Sequence, residues 1–402
     1  MQVALDQDTI SLERCLEQLF AELIENGHQF AVWRKPKSQF LQILIDKTGK
    51  TKRISPHLEE LRAGFIIHPF VDQKDKKAYY LEASEYIKLD LNAPIETQLS
   101  SLTAIDKKNN EAKSIINQFF LKRTATREAV NKNFECSKIE FINLVNKGVQ
   151  AIRDGYLNKI VPAKMKKIAL QKNFDLIQSI KSLLNAYPNA FINFFHLPEV
   201  GTWIGASPEV LIQTKGDEFY TMSLAGTQKA QGDNPLKNAA WTQKEIEEQA
   251  LVSRYIVDCF KKIRLREYQE IGPKTVLAGN LLHLRSDFKV DMATTNFPQL
   301  GTVMLELLHP TSAVCGMPRQ AAFDFLSQHE NLDRSLFAGF IGPVNVEGET
   351  SIYVNLRTAQ IKNGAALLYA GAGVTEDSDP EKEWEETEMK CEIIGKHLNL
   401  NN

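Results

Sequence analysis

The sequence predicts a mixed α/β fold of the α+β kind, with antiparallel strands and helices packed against them. Three features carry that expectation. Residues 209-EVLIQT-214 and 218-EFYTMSLAG-226 flank Lys215-Gly216-Asp217, a hairpin signal. A second hairpin joins 351-SIYVNLRTAQI-361 to 365-AALLYAGAG-373 through Asn363-Gly364. Asn-Gly is the strongest short turn signal, because a type I′ turn needs positive φ at both central residues and these two tolerate it. Two long helices, 244–263 and 380–396, supply the other layer.

The remaining elements follow in chain order. Leu12, Leu16, Leu19, Phe20 and Leu23 fall at helical spacing behind Asp8, which reads as an amphipathic helix over 8–25. Short apolar pieces, 40-FLQILI-45 and 64-GFIIHPF-70, come next, and the polar stretch 104-AIDKKNNEAKS-114 is the best linker candidate. Over 137–155 the spacing predicts a helix: Ser137 and Glu140 form a capping box, Ile139, Ile142, Val145, Val149 and Ile152 make a stripe, and Gly155 ends it. Strand-like runs then dominate to about residue 226. No fixed-period repeat and no Gly-rich phosphate loop appears, so nucleotide-dependent chemistry is unsupported.

Composition narrows the function. The chain has 402 residues, and at roughly 100–200 residues per domain this suits two or three domains or one large unit. With 48 Lys+Arg against 50 Asp+Glu the net charge is −2, which argues against binding nucleic acid by bulk electrostatics. Hydrophobic residues at 43% are enough for a large core. Cys15, Cys136, Cys259, Cys315 and Cys391 are scattered, so neither a disulfide framework nor a Cys-based zinc site is indicated. The N-terminus lacks a basic region followed by an apolar core, and no apolar run approaches a membrane span. A reducing cytoplasm is the expected home, with no membrane contact.

Helix 380–396 opens with Asp379 as N-cap and Pro380 at the first helical position. Glu383, Glu386 and Lys390 then fall at i, i+3 and i+7 on one face. That face is either a hard-cation site, since Mg²⁺ takes one or two protein carboxylates, or a solvated face with a Glu386–Lys390 pair. Spacing alone favours the second reading. Glu245, Glu247 and Glu248 begin helix 244–263, where the helix dipole favours acids anyway. Joining Glu248 to Glu386 around one ion requires a tertiary approach. Arg357 sits in a strand whose one face would carry Tyr353, Asn355, Arg357 and Ala359, and such an arginine is a structural ion-pair partner or a fork for an anion. Gly371-Ala372-Gly373 offers backbone N–H groups that can approach a ligand closely. Lys159 and Glu209 head two other strand-like runs, and nothing in their spacing pairs them.

These segments also resemble a family, the chorismate-utilising enzymes that make menaquinone, siderophore, tryptophan and folate precursors. The resemblance rests on 205-GASPE-209, 223-SLAGT-227, 309-HPTSAVCG-316, 333-DRSLFAGFIG-342, 355-NLRTA-359, 369-YAGAG-373 and 383-EWEETEMK-390. It spans about 159–390, and the first 130 or so residues show nothing recognisable. Among the branches the sequence looks most like isochorismate synthase. Lys159 stands where that branch carries its general base, which anthranilate synthases lack, and Ala225 stands where aminodeoxychorismate synthases carry a nucleophilic lysine. The 309-HPT-311 run also fits the isochorismate and salicylate branches, and no amidotransferase segment is present.

The resemblance implies one large unit with an antiparallel sheet core, helices outside and a site in a cleft. Residues 137–398 would be the chorismate-binding catalytic region, and 1–130 a variable part contributing to the same sheet core. Lys159 would activate water for attack at ring C2 while Glu209 protonates the departing C4 hydroxyl. A lysine serves as base near neutral pH only when its pKa is lowered, and a glutamic acid donates only when its own is raised. Glu248 and Glu386, with Glu383 beside them, would hold Mg²⁺ against the ring carboxylate. Lys390, Arg357 and the N–H groups of Gly371, Ala372 and Gly373 would face substrate anions. Ala225, Gly226 and Thr227 would line the pocket with His309. Three positions depart from the family pattern: Gln249 replaces His beside Glu248, Ser312 replaces Pro, and 162-PAK-164 replaces Leu-(Ala/Ser)-Arg. The expected activity is Mg²⁺-dependent isomerisation of chorismate to isochorismate, without an amidotransferase subunit. The rivals are a salicylate synthase, which goes on to eliminate pyruvate, and a non-catalytic binder of similar dicarboxylates.

Overall fold

The computed structural model describes residues 11–71, 77–101, 111–121, 136–232, 234–278 and 281–398. Among these residues every pairing between named strands is antiparallel, as the hairpin signals predict. One sheet of eight strands runs Glu85–Asp90, Phe40–Asp46, Gln29–Arg34, Phe191–Leu197, Gly201–Ser207, Thr358–Lys362, Ala365–Gly371, Ala163–Ala169. A second, of nine, runs Gln269–Ala278, Leu281–Asp291, Glu218–Lys229, Val210–Lys215, Glu349–Val354, Phe340–Val344, Gly64–His68, Ala78–Glu82, Lys52–Ile54. Strands from residues 29–90 therefore extend both sheets.

Side chains from the two sheets meet face to face. Trp33, Phe195 and Trp203 of the first sheet share one cluster with Phe65, Ile212 and Ile352 of the second. Phe191, the first residue of its strand, stacks on Tyr353 of the second sheet with ring centroids 3.9 Å apart. The other face of the first sheet buries Phe30, Val32 and Phe194 against the helices Leu12–Glu25, Ala112–Leu121, Leu176–Ala186 and Pro380–Leu398. Covered on both faces, the Phe191–Leu197 strand is buried at every position. This explains why apolar residues fill five of its seven positions on both faces rather than alternating with exposed polar ones. Each such phenylalanine contributes about 1.5–3 kcal/mol by leaving water.

The expected helices are present with some shifts. Ser11 caps the first helix, its hydroxyl accepting from the Arg14 N–H, while Asp8 lies outside the described residues. Residues 104–110 of the expected linker are likewise outside them, but Ala112, Lys113 and Ser114 open a helix that buries Ile116 and Phe120. The Ser137–Glu140 capping box starts Lys138–Arg153 as predicted. Its buried stripe runs through Phe141, Leu144, Val145 and Val149, leaving Ile139 72% exposed.

Both hairpins form. Lys215 pairs with Glu218 around Gly216-Asp217, and Lys362 with Ala365 around Asn363-Gly364, whose φ values of 53° and 72° are those a type I′ turn requires. The single strand expected over 351–361 is instead two strands in different sheets. Glu349–Val354 belongs to the second sheet and Thr358–Lys362 to the first, so Tyr353, Asn355, Arg357 and Ala359 do not share a face. The chain crosses between sheets at residues 355–357. Asn355 anchors the crossing by donating from its amide to the Leu336 carbonyl, and Arg357 turns it with a φ of 48°. No described helix is long and apolar enough to cross a membrane.

Candidate active site

Sheet crossing, strand ends and two helices converge on a narrow cavity of about 80 Å³. Glu209, Ala225, Gly226, Thr227, Glu248, Arg357, Gly371, Gly373 and Lys390 line it. A larger surface cavity of about 720 Å³ lies around Phe70, Phe323 and Asp333 and holds none of the predicted site residues.

Glu209 stands at the junction of the two sheets, where Val354 N–H donates to its carbonyl at 3.1 Å and its own N–H reaches Ser207 Oγ at 3.4 Å. Its side chain is buried, and that burial pushes its pKa up to about 8 against the pull of Lys159, Arg357 and Lys390. At neutral pH the carboxyl is therefore protonated, the state a proton donor needs. Lys159, fully buried, occupies a two-residue strand clamped between Met317 and Val374: it pairs with Met317, and Ile160 exchanges both backbone hydrogen bonds with Val374. Its Nζ lies 2.9 Å from Glu248 Oε1. A Cβ on Gly373 would sit 2.0 Å from that same oxygen and 3.3 Å from Lys159 Cε, so any larger residue would displace the Glu248 carboxylate from this position.

Three carboxylates approach from two helices, each with its own ammonium. Burial would raise Glu248, but Lys159 and Lys244 outweigh it and hold the carboxylate below its usual range. Lys244 Nζ meets Glu383 Oε1 at 2.5 Å, and Lys390 Nζ meets Glu386 Oε1 at 2.6 Å and the Gly371 carbonyl at 2.8 Å. Burial and the neighbouring Glu386 push Glu383 up to about 7, with Lys244 opposing them. Its Oε2 is buried without a hydrogen-bond partner. No cluster of three or more His, Cys, Asp or Glu side chains is close enough to enclose a metal among the described residues. Mg²⁺ needs only one or two protein carboxylates, and two repelling glutamates with an unpartnered oxygen suit a hard divalent cation. The donors present fit such an ion.

His283 belongs to this site and was not singled out from sequence. Ala225 pairs with Leu284 and Gln228 with Leu282, so Gly226 and Thr227 together oppose His283 in a bulge, with Gly226 at φ +70°. Arg357 Nη2 donates to His283 Nε2 at 2.5 Å, and Nδ1 faces the Gly226 carbonyl at 2.8 Å. A guanidinium only donates and a carbonyl only accepts, so the ring is neutral with its proton on Nδ1. Burial, then Arg357 and Lys390, hold it well below the ordinary histidine range. Arg357 Nη1 also donates to the Ala278 carbonyl at 3.0 Å, which fixes the fork at the cavity wall.

Two expectations are corrected. His309 does not line this cavity: its ring packs edge-on against His68 and Phe340, and burial pushes its pKa down to about 3. The turn after it, not the histidine, reaches the cavity, through Ala313 and Val314. Ala372 is fully buried and its N–H donates to the Pro162 carbonyl at 3.1 Å, so it is not free for a substrate anion. Gln249 turns away from the carboxylates and donates to Ser223 at 2.9 Å and Ser286 at 3.1 Å, pinning its helix to the sheet.

An antiparallel two-sheet fold whose cavity is lined by the buried Glu209 and by Glu248, with Lys159, Glu383 and Glu386 behind that lining, defines the class. The model of the chorismate binding enzymes matches residues 62–399, most of the chain, and the protein belongs to that family. It is similar to isochorismate synthase EntC of Escherichia coli (strain K12), at 27% identity over 68% of this chain and 70% of that protein. It is also similar to the vibriobactin-specific isochorismate synthase of Vibrio cholerae, at 29% identity over 59% and 61%. The solved structure of MenF, the menaquinone-specific isochorismate synthase of Escherichia coli, shares the fold. Its TM-score is 0.72 at 19% identity, covering 98% of this chain and 92% of that one.

Proposed function

We propose that this protein is an isochorismate synthase, an isomerase that adds water's hydroxyl at C2 of chorismate and expels the hydroxyl at C4. The observation that carries the reading is Glu209, a buried carboxyl lining the same cavity as Glu248, the partner of the buried Lys159 amine, with burial pushing its pKa up to about 8. Water bonds to C2 and gives a proton to Lys159, which acts in its free-amine form. The C1=C2 pair shifts to C1–C6, the C5=C6 pair shifts to C4–C5, and the C4–O bond breaks. Glu209 protonates the departing oxygen, so water is regenerated and atoms balance. Arg357 and Lys390 supply fixed positive charge for the substrate's two carboxylates, and neutral His283 keeps the Arg357 fork in plane. Glu248 and Glu386, with Glu383 beside them, would hold Mg²⁺, which supplies charge neutralisation at the ring carboxylate. Because the nucleophile is water, no ammonia-supplying subunit is needed. The cysteines, all unpaired, suit a cytoplasmic location.

Purified protein incubated with chorismate and Mg²⁺ is expected to give isochorismate, read by NMR of the products. Salicylate with pyruvate as the main products would overturn the reading. Lys159→Ala and Glu209→Gln should each lower turnover by about 10²–10⁴-fold. Unchanged turnover in either variant would remove that residue from the mechanism.

A further inference from the structure

We propose that Lys244 is a built-in counter-ion that competes with the divalent cation for Glu383 and thereby sets the protein's affinity for metal. This inference rests on the metal site proposed above. Lys244 lies in the first turn of Gln243–Lys262, where the helix dipole disfavours a cation, so local structure gives no reason for a lysine there. Its partner comes from another helix, 139 residues on in the chain. The ammonium bonds one oxygen of Glu383 and leaves the other unpartnered, and its charge also acts on Glu386 and Glu248.

Charge balance explains why a competitor is needed. Lys159, Lys244 and Lys390 pair one to one with Glu248, Glu383 and Glu386, so each carboxyl group already has an amine against it. A divalent ion that must share every carboxylate with a resident partner gains little attraction to offset its dehydration. One ammonium has to leave. Lys159 is fully buried, and Lys390 is tied to Glu386 and to the Gly371 carbonyl. Lys244 has one hydrogen-bond partner and a side chain that is 22% exposed, so its flexible stem can swing its head to water. Departure of Lys244 leaves Glu383 free to face the incoming metal.

Mn²⁺ serves as the probe, its dissociation constant read by electron paramagnetic resonance on protein without substrate. Lys244→Met keeps the stem and removes the charge, and it should bind Mn²⁺ about tenfold more tightly than wild type. Lys244→Arg keeps the charge and should bind like wild type. A merely structural lysine would show the opposite, since its loss loosens the site and weakens binding. Equal or weaker binding by Lys244→Met, with an unchanged melting curve, would overturn the proposal. If that variant does not accumulate folded, Lys244→Gln carries the same expectation. Failure of the underlying site looks different: wild type and variant alike would then bind no Mn²⁺, with chorismate present or absent, and both readings fall.

Discussion

Glu209 reaches its protonated state through desolvation, against the pull of Lys159, Arg357 and Lys390. Because donation needs the proton, the sign of the pH effect follows. Activity that depends on this acid is present below a pKa of about 8 and lost as pH rises through it. We expect kcat/KM, which reports the free enzyme, to fall with that midpoint, and Glu209→Gln to abolish the limb. A profile flat from pH 7 to 9 would remove the assignment. At this scale the sequence was legible only through resemblance. Lys159 and Glu209 are 50 positions apart and no helical or strand period relates them. The histidines show the limit most clearly. His309 sits in a recognisable run yet packs against His68 and Phe340, while His283, within an unremarkable strand, meets the cavity because a bulge at Gly226 faces it. Which ring reaches the site depends on register, and composition carries no register.

The Pro380–Leu398 helix shows how an element is aimed. Its inward face carries Glu383, Glu386 and Lys390, and its placement is secured from the strand Ala163–Ala169. Lys164 and Lys166 both bond Glu388, and Lys164 Nζ lies 3.2 Å from the centroid of the Trp384 ring. Glu388→Gln would leave the buried Lys164 ammonium without its counter-charge. Since Glu388 is itself 30% exposed, the expected cost is about 1–3 kcal/mol, measured as a lower denaturation midpoint. No change in midpoint would mean that the cation–π contact alone holds Lys164. Helix limits, caps and both hairpin turns were readable because they are local: Ser137, Glu140, Asp379 and Asn363-Gly364 act on residues within four positions. The break at residues 355–357 was not, because no Gly or Pro marks it; Asn355 is held by Leu336 and Gly339 from elsewhere in the chain.

Across the whole molecule, the two sheets are joined by aromatic contacts, and the site sits where the chain passes from one to the other. Phe191 stacks on Tyr353 at that seam and is fully buried. Phe191→Ala should destabilise the fold by about 3–5 kcal/mol through lost burial and the void left behind. Guanidinium unfolding is the check, and a loss below 1 kcal/mol would show that the sheets do not depend on this contact. The antiparallel class was legible from two turns. Strand order was not, since Val210–Lys215 neighbours Glu349–Val354 and Gly201–Ser207 neighbours Thr358–Lys362 across some 140 residues of intervening chain. Pairing of that kind is decided by which apolar faces fit, a property of the assembled core.

The cavity's fixed charges set a thermodynamic condition. Arg357 is held by His283 and the Ala278 carbonyl, and Lys390 by Glu386 and the Gly371 carbonyl, before any substrate arrives. A dicarboxylate that enters therefore meets cations already oriented, with little side-chain ordering left to oppose its capture.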